Sequence, residues 1–135
     1  MLECIVLGDS IAAGTARQLP DCTNYSVGGY SSWQWNQRYR GYSLNARIII
    51  ISLGTNDTKQ IPTRHELEYM RSKVNADVVY WIMPPIKPEK QKIVMDFARE
   101  YGDIVLPINR DLLSSDRIHP TPDGYRDLAR RIHGH

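Results

Sequence analysis

Short apolar runs alternate with amphipathic stretches along this chain, and each run ends in a turn. The clearest run covers residues 48–51, four isoleucines followed closely by Leu53. An apolar run without alternation is typical of a central strand that is covered on both faces. Five strands are predicted in this way, at residues 2–7, 22–27, 48–51 with Leu53, 77–83 and 104–108.

The segments between these runs have apolar positions at helical spacing. The first predicted helix covers residues 11–19 and is stopped by Pro20, and the second covers residues 31–40. Thr63 and Glu66 have the spacing of a capping box. The other helix signals are an apolar stripe of Leu67, Met70 and Val74 after that box, Pro88 at the start of a long helix, and Thr121-Pro122 at the start of the last.

Strand and helix therefore alternate five times, which predicts an α/β protein with three layers, α/β/α. We expect a five-stranded parallel sheet with the flavodoxin-like order 2-1-3-4-5. The chain of 135 residues is long enough to bury a core, and we expect one domain over residues 1–135. In such sheets ligands bind beyond the carboxyl ends of the strands, so we expect the functional residues there.

Composition excludes several functions. A net charge of +2 is too small to indicate a nucleic-acid partner. No apolar run reaches the length of a membrane span, and Glu3 interrupts the first apolar residues, unlike a signal peptide. We therefore expect a cytoplasmic protein with neither a nucleic-acid nor a membrane partner. Release by lysis or on a particle stays open, as does the oligomeric state.

Cys4 and Cys22 both fall at the start of a predicted strand. A disulfide between them requires that the two strands be neighbours. For a protein of the reducing cytosol we expect instead two buried, reduced thiols. Neither cysteine belongs to a CxxC pair, so the sequence does not indicate a zinc site.

The first strand ends in Gly8-Asp9-Ser10, directly before a predicted helix. Ser10 is a candidate nucleophile, and a serine hydroxyl needs a neighbouring base. His119 is the candidate base, because it lies in a loop beyond the last strand. Asp116, three residues earlier, can reach the far nitrogen of the imidazole ring. Taken alone, Ser10 is more typical of a helix N-cap than of a nucleophile, and Asp116 is more typical of a turn.

Attack of a serine on a carbonyl also requires donors for the resulting oxyanion. The candidates are the backbone N–H groups of Ser10 and Gly29 and the side-chain amide of Asn56. Each follows a different predicted strand. Asn56 by itself is also typical of a turn.

Four blocks of this sequence together resemble the GDSL/SGNH hydrolase superfamily. They are residues 8–10 (Gly-Asp-Ser), 24–29 (ending Val-Gly-Gly), 54–57 (Gly-Thr-Asn-Asp) and 116–120 (Asp-Arg-Ile-His-Pro). The resemblance implies an esterase or acylhydrolase that has no metal or organic cofactor. In it Ser10 is the nucleophile, His119 the base and Asp116 the orienting acid. Ser10, Gly29 and Asn56 form the oxyanion hole, and Gly28 is an alternative to Gly29.

The connections between these blocks are short, which predicts a shallow, open site without a lid. We therefore expect a serine ester hydrolase that cleaves short acyl esters through an acyl-enzyme on Ser10. Acetyl groups on a carbohydrate are among the candidate substrates. Tyr30 and Trp33, next to Gly29, are candidates for stacking on a sugar or an aryl ester. The alternative is a non-catalytic module of the same fold that binds a glycan or a protein.

Overall fold

The computed structural model describes residues 2–133, in which strands alternate with helices except at residues 74–82, where two strands follow each other. The strands are β1 (Leu2–Gly8), β2 (Thr23–Ser26), β3 (Leu44–Ser52), β4 (Val74–Asn75), β5 (Val78–Ile82) and β6 (Ile104–Leu106). The helices are α1 (Ser10–Arg17), α2 (Ser32–Arg38), α3 (Thr63–Ser72), α4 (Pro88–Glu100) and α5 (Pro122–His133). A single 3-10 turn, Arg110–Leu112, precedes α5.

The strands form one parallel sheet in the order β2-β1-β3-β5-β6. This is the predicted flavodoxin-like order, since β5 and β6 are the fourth and fifth strands expected from the sequence. The short strand β4 was not predicted, and it pairs with the start of β3. Because every strand is parallel, the loops after β1, β2, β3, β5 and β6 meet at one edge of the sheet.

The isoleucine run in β3 divides its side chains between two cores. Ile49 and Ile51 pack with α2, α3 and α4 on one face. Ile50 packs with α1 and α5 on the other. All three are at most 1% exposed, and burial of one such side chain contributes roughly 2 kcal/mol. This agrees with a central strand covered on both faces.

Local helix signals succeeded at two helices and failed at one. Pro88 and Pro122 are the first residues of α4 and α5, as predicted, and the Thr121 hydroxyl accepts the Gly124 N–H at 3.1 Å. The predicted capping box at Thr63 is wrong. Pro62 precedes α3 without a side-chain cap, because the Thr63 hydroxyl is used by buried charged partners.

The apolar stripe of α3 is shorter than expected. Leu67 and Met70 are buried, but Val74 lies beyond the helix in β4. The stripe failed at Val74 because pairing with Leu44 of β3 draws this residue into the sheet.

Cys4 and Cys22 form a disulfide bond, so the prediction of two free thiols is wrong. The cause is strand register. Ile5 of β1 stands opposite Thr23 of β2, which places the residue before each of them side by side, with a Cα–Cα distance of 4.8 Å. Disulfides are typical of oxidising compartments, which argues against the expected cytoplasmic location.

The helices within residues 2–133 are at most 13 residues long, as in α4. None of them combines the length and the apolar character that crossing a membrane requires.

Candidate active site

The turn after β1 places Ser10 at the edge of the sheet. Gly8 has φ = 135°, and a Cβ atom there would lie 1.9 Å from the carbonyl oxygen of Ser52. Only glycine therefore fits between β1 and β3 at this point. The Asp9 N–H donates to the same Ser52 oxygen at 3.0 Å, and Ser10 follows as the first residue of α1.

The carboxyl group of Asp9 caps α1 from the interior of the protein. Its Oδ1 accepts the N–H groups of Ile11 and Ala12 and, at 2.9 Å, the hydroxyl of Ser52. The side chain is buried, and burial raises its pKa to about 6. Within the described chain, Asp9 Oδ2 has no hydrogen-bond partner. The sequence placed Asp9 in a motif but did not indicate that its side chain is buried.

Ser10, His119 and Asp116 are joined in one line of hydrogen bonds. Ser10 Oγ lies 2.8 Å from His119 Nε2, and His119 Nδ1 lies 2.7 Å from Asp116 Oδ2. The side chains of His119 and Asp116 are 42% and 47% exposed, so the arrangement is open to solvent. The three residues that the sequence analysis selected for acyl transfer thus lie together.

The loop before α5 holds Asp116 in its charged form. The bond to His119 is the main reason that the pKa of this carboxyl lies well below its usual range. Further bonds come from the N–H groups of Ile118 and His119 and from the hydroxyl of Ser114. The tight turn is completed by Arg117 in the left-handed region, with φ = 62°. A carboxylate so well supplied with donors stays ionised and stabilises a protonated imidazole.

The loop after β2 passes over Ser10. The Val27 N–H donates to the carbonyl of Gly8 at 2.9 Å, which ties this loop to the turn after β1. A Cβ atom on Gly28 would lie 3.8 Å from the Cβ of Ser10, and Gly29 has φ = 81°. Both glycines lie on the exposed side of this loop, so each remains a candidate N–H donor.

Asn56 reaches the same loop from β3. Its Nδ2 donates to the carbonyl oxygen of Tyr30 at 3.0 Å. A primary amide has two N–H groups, so one bond of this kind fixes the plane of the amide and leaves the second group for a ligand. The candidate oxyanion donors Gly29 and Asn56 therefore belong to two loops that are directly hydrogen-bonded.

The aromatic residues of this region divide into packing and exposed groups. Trp35 of α2 and Tyr39, which directly follows that helix, are buried and stacked, with ring centroids 4.8 Å apart. Trp33 is 50% exposed, and Tyr30 is half-buried against the core. Trp33 is thus half-exposed at the start of α2, three residues after Tyr30.

Residues 2–133 contain no group of three or more His, Cys, Asp or Glu side chains that could hold a metal ion.

The protein is similar to known proteins in its structure but not in its sequence. No known family model and no curated protein matches the chain. A GDSL-like lipase from Bacteroides thetaiotaomicron is 17% identical with a TM-score of 0.67, over 98% of this chain and 86% of that one. An acylhydrolase structure, described as putative, from Bacteroides fragilis is 17% identical with a TM-score of 0.69, over 98% and 85%.

The structure is also similar to that of a carbohydrate esterase. A family 3 carbohydrate esterase from Clostridium thermocellum is 12% identical with a TM-score of 0.56, over 99% of this chain and 94% of that one. These similarities extend over nearly all of the present chain, so they concern its whole architecture. The chain therefore has the fold of the GDSL/SGNH hydrolase superfamily.

Proposed function

We propose that this protein is a serine ester hydrolase that removes short acyl groups through an acyl-enzyme on Ser10. The observation that carries the proposal is the unbroken line from Ser10 Oγ through the imidazole of His119 to the carboxylate of Asp116. If Ser10 only capped a helix, it would need no histidine beside it. If Asp116 only formed a turn, it would need no imidazole. Their joint placement is what acyl transfer requires.

Acylation begins when Ser10 Oγ attacks the carbonyl carbon of the ester and its proton passes to Nε2 of His119. The ionised Asp116 accepts the N–H at Nδ1 and stabilises the imidazolium. Collapse of the tetrahedral intermediate breaks the bond to the alcohol oxygen, and His119 returns the proton to the departing alcohol. Water then attacks the acyl-enzyme with His119 as base, and Ser10 is regenerated as the acid leaves.

The negative oxygen of the intermediate needs donors that are in place before the reaction. We assign this role to the N–H groups of Ser10 and Gly29 and to the free N–H of Asn56. The hydrogen bond from Asn56 to Tyr30 supports the assignment, because it orients the amide without a ligand. Gly28 is the alternative to Gly29, because a Cβ atom on Gly28 would lie 3.8 Å from the Cβ of Ser10.

The open site favours a small acyl group on a large or exposed alcohol. His119 and Asp116 are both partly solvent-exposed, so a long acyl chain would find little wall beside them. Acetyl groups on a carbohydrate are a suitable class, with the exposed Trp33 ring available to stack on a sugar. The structural likeness to a carbohydrate esterase supports this class.

Hydrolysis of a series of nitrophenyl esters tests the proposal. We expect turnover that is highest for acetyl and falls with acyl-chain length. Ser10→Ala should reduce turnover to the uncatalysed rate, and a fluorophosphonate should label the unmodified protein at Ser10. Ser43→Ala, at an exposed serine before β3, is the matched control and should leave both readouts unchanged.

Two results would contradict the proposal. Unchanged turnover in Ser10→Ala would place the chemistry elsewhere. Absence of both turnover and labelling would favour the alternative of a glycan- or protein-binding module on the same fold.

A further inference from the structure

The chain contains a buried carboxylate that the proposed chemistry does not use. Asp57 directly follows Asn56 and is 1% exposed. It receives the Ser32 N–H at 2.7 Å, the Ser32 hydroxyl at 2.6 Å and the Thr63 hydroxyl at 2.7 Å. Ser32 begins α2 and Thr63 begins α3, so this single side chain joins the starts of two helices.

A buried ammonium group lies behind Thr63. Lys90 of α4 is 5% exposed, and its Nζ donates to the Thr63 hydroxyl at 2.9 Å and to the Ile61 carbonyl at 3.3 Å. One hydroxyl therefore separates a buried cation from a buried anion. Because the Thr63 hydroxyl accepts from Lys90, it is left to donate to Asp57. Because these hydrogen bonds all donate in one direction, from Lys90 through Thr63 to Asp57, they favour a charged acceptor at position 57.

The backbone around Asp57 is held from the same side. Lys87, the residue before α4, donates from Nζ to the Asp57 carbonyl at 3.0 Å. The loop between β3 and α3 is thus held near its middle by Lys87 and near its end by Lys90. Asn56 is the residue immediately before Asp57, whose carbonyl accepts the first of these hydrogen bonds.

Asn56 and Asp57 also bind the same partner segment. The Asn56 amide donates to the carbonyl of Tyr30, while the Asp57 carboxylate holds Ser32 two residues later. Tyr30 directly follows Gly29. Any change in the distance between Asp57 and Ser32 will therefore change the geometry of the hydrogen bond from Asn56 to Tyr30.

We propose that Asp57 is a positioning residue of the oxyanion hole, whose bonds to Ser32 and Thr63 hold the Asn56 amide against the loop of Gly29. This rests on the proposed function and adds to it a residue that never touches the substrate. Its effect belongs to the transition state, since the oxyanion forms only there. A misplacement of about 1 Å in such a group costs on the order of 100-fold in rate.

Asp57→Asn tests the proposal, because it keeps the size of the side chain and offers an N–H where Ser32 and Thr63 donate. We expect kcat for nitrophenyl acetate to fall about 10- to 100-fold, with KM changed by less than about threefold. Thr63→Val, which keeps the carboxylate and removes one of its donors, should cause a smaller fall of the same kind and serves if Asp57→Asn folds poorly.

Asp103→Asn is the matched control. Asp103 is also a buried carboxylate with several donors, from Arg71 and Trp81 Nε1, but it directly precedes β6, where the strands of the sheet begin and not where they end. We expect its loss to lower the unfolding temperature while kcat stays within about twofold. If Asp57→Asn lowers kcat no more than Asp103→Asn does, the proposal is wrong.

A double-mutant cycle separates positioning from a general structural effect. If Asp57 acts through Asn56, Asp57→Asn should reduce kcat by less than about threefold in an Asn56→Ala background. A full 10- to 100-fold loss in that background would overturn the proposal.

A readout that needs no turnover keeps this test separate from the hydrolase assignment. In ¹⁵N–¹H spectra, the side-chain amide signals of Asn56 should move toward random-coil positions in Asp57→Asn and stay in place in Asp103→Asn. Unmoved signals in Asp57→Asn contradict the positioning role. If the unmodified protein has no Ser10-dependent activity, the hydrolase assignment is contradicted instead.

Discussion

The parallel sheet has an amino edge, where its strands begin, and a carboxyl edge, where they end. Both edges are rich in strong interactions, but these interactions join different parts of the structure. At the amino edge, the Cys4–Cys22 disulfide and the Arg71–Asp103 ion pair link elements of the sheet and its covering helices. At the carboxyl edge, Asp9, Asp57 and Asp116 each accept hydrogen bonds from at least three donors, mostly in loops and helix starts.

This contrast separates stability from geometry. A bond between two strands already paired in the sheet changes the free energy of unfolding but moves no loop. A carboxylate that gathers the donors of a loop fixes the direction of that loop and of the groups beside it. We therefore expect changes at the amino edge to alter unfolding and changes at the carboxyl edge to alter ester turnover.

The largest expected effect is on catalysis, at the carboxyl edge. Asn56→Ala removes one proposed oxyanion donor, so kcat for nitrophenyl acetate should fall about 100- to 1000-fold, equivalent to roughly 3–4 kcal/mol. The free energy of unfolding should change by about 1 kcal/mol, the value of the single bond to Tyr30. The two quantities are measured by initial rates and by urea unfolding.

Asn45→Ala provides the control for that experiment. Asn45 is exposed in β3 and pairs with β4 at the amino edge. Its turnover should stay within about twofold of the unmodified protein. Equal losses in the two variants would contradict the division between the edges.

The next effect is on stability, at the amino edge. Replacing both Cys4 and Cys22 by serine opens a cross-link between residues 18 apart. The free energy of unfolding should fall by about 3 kcal/mol, the value for a loop of this length. Turnover of nitrophenyl acetate at 25 °C should be unchanged, because neither cysteine lies near Ser10. A parallel loss of turnover would show that the edges are coupled.

The smallest effect depends on pH and concerns Asp9. Its pKa rises from the ordinary 3.8 to about 6 in the folded protein, because burial disfavours the charged form. Between these pH values the folded state binds more protons than the unfolded state, so stability decreases as pH rises through this range and is level above it. The total contribution is on the order of 3 kcal/mol or less.

Asp9→Asn isolates this contribution. The difference in unfolding free energy between variant and unmodified protein should shift in favour of the variant from pH 4 to pH 6. It should be constant from pH 6.5 to pH 8. Urea unfolding at each pH measures it, and a difference that does not depend on pH would show that burial does not perturb Asp9.

Sequence patterns worked where a local cause was sufficient. The isoleucine run predicted a strand covered on both faces, and Pro88 and Pro122 predicted the starts of α4 and α5. Four short motifs pointed to Ser10, Gly29, Asn56, Asp116 and His119, and the structure brings Ser10, Asp116 and His119 into one line of hydrogen bonds. The roles of all five remain predictions.

The patterns failed where a distant partner decided the outcome. Thr63 has the spacing of a capping box, but Asp57 and Lys90 take its hydroxyl. Cys4 and Cys22 were expected to be free thiols, but strand register places them side by side. Asp57 gave no signal beyond its place in a motif, because its donors come from segments 25 residues before it and 6 residues after it.

By itself, the sequence determined the order of strands and helices, the parallel sheet and the residues that end its strands, because periodicity, prolines and glycines act over a few positions. Only the tertiary structure decided which of those residues touch. Contacts such as Ser10 with His119, 109 positions apart, depend on how the strands are ordered and registered, and the buried bonds of Asp9 and Asp57 form only when helices close over them.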